Sequence, residues 1–134
     1  MMQSQIEDEN MNAHTPSHAA VWFEIPVADM DRAKAFYGAV LQNELKPEDG
    51  GPNPMAMFVA KDNESVAGHV YPGRPAAPGT GPTIHLAAPA PLEEAIARVV
   101  PNGGQVVSPI ITIPAGRFAY CLDPDGNSFG LFGS

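Results

Sequence analysis

Cysteine is nearly absent from this chain: Cys121 stands alone, so no disulfide can form within it. Basic residues are scarce as well, with seven Lys and Arg against fifteen Asp and Glu. The resulting net charge of -8 excludes the clustered cations that grip a phosphate backbone, and nucleic acid is not an expected partner. No apolar run approaches the roughly 20 residues that span a bilayer, which removes a membrane role. The first residues also lack the basic start and apolar stretch of a signal peptide, so the expected location is the cytoplasm. The Gly-containing pieces "GPTIHL" and "NGGQVV" lack the spacing of phosphate-binding loops and read as turns. No Ser, His and Asp set sits in a recognisable elbow, so nucleophilic hydrolysis has no support. What is present is a 44% hydrophobic content over 134 residues, enough for one core without metal or disulfide staples.

Residues 1–18 are polar, acidic and without apolar period, and are expected to form a disordered tail ahead of a single domain over 19–134. His14 and His18 lie four apart in that tail, but Pro16 between them breaks the helix that would bring them onto one metal. The ordered part begins with "AVWFEIPV", where Phe23, Ile25 and Val27 alternate with Trp22, Glu24 and Pro26, the period of a strand. Asp29 then reads as an N-cap. Met30, Ala33, Phe36, Tyr37, Val40 and Leu41 recur at helical spacing over about three turns.

The same order returns: "TIHLAA" as a strand, Pro91 near a helix start, Glu93 and Glu94 in its first turn, and Leu92, Ala95, Ile96, Val99 and Val100 as the apolar stripe. Short apolar runs follow each helix: "MAMFVA" and "SVAGHVY" in the first half, "GRFAYCL" and "NSFGLF" in the second. A constant offset of 62 residues pairs Trp22 with Ile84, Met30 with Leu92 and Gly68 with Gly130 without a gap, the signature of a duplicated module. The modules are 20–71 and 82–133, joined by a Pro- and Gly-rich linker at 72–81. Between the last two strands, Asp123-Pro124-Asp125-Gly126 fills the four places of a type I turn.

Two β-α-β-β-β modules, with "EIPVADMDRAKAFYGAVL" near the start and "GRFAYCLDPDGNSFGLF" at the end, resemble the vicinal oxygen chelate superfamily: glyoxalase I, bleomycin-resistance proteins and extradiol dioxygenases. The resemblance covers residues 20–132 and implies an α+β fold whose modules form a curved mixed sheet around a cavity. It also implies a homodimer, which fits the open edges that two modules alone would leave. In metal-dependent members each module supplies ligands from its first and last strands. The family register puts those four positions at Trp22, Gly68, Ile84 and Gly130, none of which carries a side chain able to bind a metal. No cofactor is therefore expected.

The expected ligand site comprises Trp22, Glu24, Gly68, Ile84, Tyr120 and Gly130, and it takes a small organic molecule, planar or cationic. Trp22 offers a stacking surface, and Glu24 an anchor for a cation or a hydrogen-bond donor. The function this favours is metal-free binding of the bleomycin-resistance kind. The alternative is a glyoxalase-like lyase or isomerase, either metal-free with Glu24 as catalytic base or metal-dependent through His69, His85 and Glu24. That metal set requires His69 and His85 each to stand one residue away from the register above. Arg117 reads as a solvated charge, and Cys121 as a buried small hydrophobe.

Overall fold

The computed structural model describes residues 14–49, 51, 53–62 and 64–134; most of the expected tail lies outside them. The first module runs β1 (Trp22–Val27), α1 (Met30–Leu41), β2 (Lys46–Glu48), β3 (Met55–Met57) and β4 (Ala67–Pro72). The second runs β5 (Ile84–Ala87), α2 (Leu92–Ala97), a 3-10 turn (Val100–Asn102), β6 (Gln105–Val106), β7 (Ile111–Ile113), β8 (Gly116–Leu122) and β9 (Ser128–Gly133). Two separate mixed sheets result, ordered β1-β4-β3-β2 and β5-β9-β8-β6, with β7 on β8. The α+β class is as expected. Each module contributes its own mixed sheet, and β1 and β5, at the ends of the two, form no ladder with each other.

Local chemistry explains the elements. Asp29 caps α1 by accepting from the Arg32 backbone N–H at 3.0 Å, and Gln42, at φ 52°, ends the helix in the left-handed region. The apolar stripe of α1 buries Ala33, Phe36, Tyr37, Val40 and Leu41. Each large side chain so buried contributes about 1.5–3 kcal/mol of transfer free energy. These residues join Ile25, Val27 and Val70 of the first module and Leu86, Leu92, Cys121, Phe129 and Leu131 of the second in one core. Burial pushes the Cys121 thiol up to about 11, so it packs as a small hydrophobe rather than reacting as a thiolate.

The turn at 123–127 ties the modules together. The buried Asp123 carboxylate accepts from the Tyr37 hydroxyl at 2.7 Å and from Asn127 Nδ2 at 3.0 Å, while Asn127 Nδ2 also donates to the Pro26 carbonyl at 2.8 Å. Asp125 takes Arg32 Nη2 at 2.7 Å and the Ala28 backbone N–H at 3.2 Å. Elsewhere Arg117 forks onto Glu93 at 2.8 and 3.2 Å, fastening β8 to α2 and holding the Glu93 carboxyl down at about 2.

The internal repeat holds with one correction. In β1 and β4, Phe23 lies beside Gly68 and Glu24 beside His69; in β5 and β9, Ile84 lies beside Phe129 and His85 beside Gly130. The ladders alone fit more than one offset, but the core-facing Ile25 and Val70 of the first sheet correspond to Leu86 and Leu131 of the second, 61 residues on, whereas the helix starts, Met30 and Leu92, are related by 62. One additional residue between β5 and α2 accounts for the difference. Since strand faces alternate, the 62-residue offset matches side chains of opposite faces, Trp22 with Ile84 and Gly68 with Gly130.

Candidate functional site

Across the first sheet, pairing sets Lys46, Met57, His69 and Glu24 in one row on the face turned away from α1. Strand alternation puts Trp22 on the same face, two residues before Glu24. The Trp22 indole N–H donates to His69 Nδ1 at 2.9 Å, and His69 Nε2 lies 3.1 Å from Glu24 Oε1. An indole nitrogen can only donate, so Nδ1 is the acceptor and the proton of the neutral ring sits on Nε2, directed at the carboxylate. His69 is buried at 6% exposure, whereas the Glu24 side chain is 63% exposed.

Two recesses flank this chain of hydrogen bonds. A cleft of about 520 Å³ lies where β1 and β5 stay apart, walled by Trp22, Phe23, Phe58, Ile84 and Leu86, with Asn43, Thr83 and His85 as polar members. Its volume falls in the range of small-molecule sites. A second recess of about 300 Å³ is lined by Glu24, Asn53, Pro54, Met55, His69 and Tyr71. Trp22 thus faces the apolar cleft and Glu24 the more polar recess, with His69 bonded to both.

On the second sheet, the His85 ring lies across Gly130, and a Cβ built at that glycine would collide with His85 Nδ1. Phe118, Tyr120 and Phe132 flank the exposed ring, with centroids 5.0, 5.8 and 6.0 Å from it. The space a side chain at 130 would take is filled by imidazole.

Of the residues expected at the site, Trp22 and Ile84 line the cleft, Glu24 lies in the adjoining recess, and Tyr120 and Gly130 share a row with His85. Gly68 and Ile84 do not have the orientation expected of them. Gly68 sits against Phe23, and Ile84 packs on the core that the helices cover, because both lie one residue from the outward positions. Nor is Glu24 buried; a general base in an apolar enclosure is not the environment it has. Met55, Tyr71 and Phe132 were not among the expected residues. Tyr71, two residues after His69, would have followed from alternation once the register of β4 was right.

The divalent ion implied for some members of the resembled superfamily does not fit these residues. Among the described residues no three His, Cys, Asp or Glu side chains come together as a metal site. Glu24 and His69 are neighbours, but both nitrogens of His69 are engaged and His85 belongs to the other sheet. At 130 there is no donor, and its space is taken.

Comparison with known proteins places this geometry. CFP32 of Mycobacterium bovis, whose name assigns it provisionally to the glyoxylases, is 32% identical over 118 residues; that match covers 83% of this chain and 44% of CFP32, so the chain spans less than half of that relative. A glyoxalase/bleomycin resistance protein from Albidiferax ferrireducens T118 superposes with a TM-score of 0.65 at 23% identity, covering 86% of this chain and 98% of its own. TnmS3, an antibiotic binding protein from Streptomyces sp. CB03234, does so with a TM-score of 0.60 at 23% identity, covering 89% and 98%. Residues 17–131 match the Glyoxalase/Bleomycin resistance protein/Dioxygenase superfamily, and with the paired modules found in the structure, the chain belongs to that superfamily.

Proposed function

We propose that this protein binds a small organic molecule without a metal, holding a flat apolar body in the cleft beside Trp22 and a cationic or hydrogen-bond-donating group at Glu24. The observation that carries this reading is the run of hydrogen bonds from Trp22 through His69 to Glu24, which joins an apolar cleft to a carboxylate open to solvent. Stacking on an indole and a charge-assisted bond to a carboxylate select such a ligand together. The antibiotic binding assigned to TnmS3 supports the same use of the fold. The protein acts as a homodimer in the cytoplasm.

A thermal-shift screen of planar cations, neutral analogues and anions, followed by calorimetry on the hits, tests the reading. Glu24→Gln and Trp22→Ala should each weaken a planar cation about tenfold, equivalent to about 1.4 kcal/mol, while Glu94→Gln, on the exposed side of α2, leaves it unchanged. Protein dialysed without chelator should carry far less than one divalent ion per chain by mass spectrometry. Preferred binding of anions, or a near-stoichiometric metal lost with His69→Ala, overturns the proposal. The glyoxylase name of CFP32 favours a second reading, that this chain is an enzyme, a lyase or isomerase in which the exposed Glu24 acts as base. Turnover of a bound compound, abolished by Glu24→Gln, would establish it.

A further inference from the structure

We propose that His69 is a positioning residue for the Glu24 anchor, and that Trp22 sets its tautomer; this rests on the roles proposed above for Glu24 and Trp22. His69 lines the recess but has no free donor or acceptor for a ligand, since Nδ1 takes the Trp22 indole N–H and Nε2 faces Glu24 Oε1. Its influence therefore passes through the carboxylate. The ring is fixed from several sides: it lies opposite Met57 on β3, its centroid is 6.0 Å from that of Tyr71, and β1 flanks it. Glu24, by contrast, is a long and mostly exposed side chain that would otherwise turn freely. With Oε1 engaged by His69, Oε2 is held ready for a ligand, and less side-chain freedom is lost when the ligand binds.

The ligand class follows from this arrangement. A group carrying an N–H or a positive charge, attached to a flat aromatic body, satisfies Oε2 and Trp22 together. A group that only accepts hydrogen bonds meets no donor from His69, because the single ring proton is already directed at Glu24.

Two substitutions separate the two halves of the role. In His69→Gln the amide nitrogen reaches the place of Nε2 and can still donate to Glu24, but the acceptor for Trp22 is lost. In His69→Asn the shorter amide oxygen occupies the place of Nδ1 and can still accept from Trp22, while the donor to Glu24 is lost. Proflavine, a planar cation with two amino groups, serves as the calorimetric probe. Trp22, the only tryptophan, reports on its own hydrogen bond through its emission in dye-free protein.

His69→Asn should weaken proflavine about tenfold with emission unchanged, and His69→Gln should stay within about threefold of the parent with emission shifted. Equal losses in both variants would make His69 a packing residue only, and no loss in either would remove it from binding; each overturns the proposal. Long-range nitrogen-proton correlation spectra of the parent test the tautomer with no ligand present. They should show the His69 proton on Nε2, and a proton on Nδ1 overturns the proposal even if Glu24→Gln behaves as expected. If the spectra show Nε2–H but proflavine binds Glu24→Gln as well as the parent, the anchor role of Glu24 has failed, and the positioning role falls with it.

Discussion

Gly130 shows how one absent side chain shapes a face. With no Cβ there, the His85 imidazole lies flat on β9, and Phe118 and Phe132 stack nearly parallel beside it, 4° apart with centroids at 5.9 Å. Gly130→Ala should turn the exposed His85 ring out of this contact and lose aromatic packing worth about 0.5–1.5 kcal/mol. The same change in a His85→Ala background should cost little, because the colliding atoms are gone. Urea denaturation of the four proteins measures the coupling between the two positions, and additive effects would mean that the ring does not depend on the glycine. That Gly130 lacks a metal-binding side chain was legible in the sequence. That His85 fills its place was not, because the extra residue between β5 and α2 is invisible to an offset that already aligns both helices.

The elements were legible where local chemistry decides them. Alternation in β1, the Asp29 cap, the helical stripe of α1 and the 123–126 turn each reflect a rule acting within a few residues. The strands β2, β6 and β7 were not singled out. They are two or three residues long and mostly exposed, and they exist because a longer neighbour offers a ladder. The use of the turn was equally hidden: its carboxylates and amide reach back to Pro26, Ala28, Arg32 and Tyr37 in the first module. Tyr37 ionises well above the ordinary tyrosine range, first because it is buried and next because Asp123 adjoins it, so its hydroxyl remains a donor across the physiological range. Tyr37→Phe keeps the packing but removes one donor from a buried carboxylate, and should cost about 1–3 kcal/mol by chemical denaturation. A cost near zero would mean that Asn127 and the backbone amides alone suffice for Asp123.

At the scale of the molecule, the decisive feature is that β1 and β5 remain unpaired with each other. Each presents an open edge beside the cleft, and Val21, Trp22, Val59 and Val66 are exposed at the same corner. Open edges and contiguous apolar side chains are features that soluble proteins ordinarily cover. A second copy related by a two-fold axis would cover both at once, because the same surface would meet itself. Charge opposes this, since each chain brings a net charge of -8, so the association should tighten as added salt screens the repulsion. Sedimentation at micromolar concentration should therefore give twice the 14.1 kDa chain mass, more completely at about 0.5 M salt than at low salt. Val59→Glu and Val66→Glu should each shift the population toward monomer by placing a carboxylate in the apolar patch, whereas Val100→Glu, on the exposed turn after α2, should not. A parent that sediments as a monomer at every salt concentration would mean that the cleft corner stays open to solvent, and that the ligand site is complete within one chain.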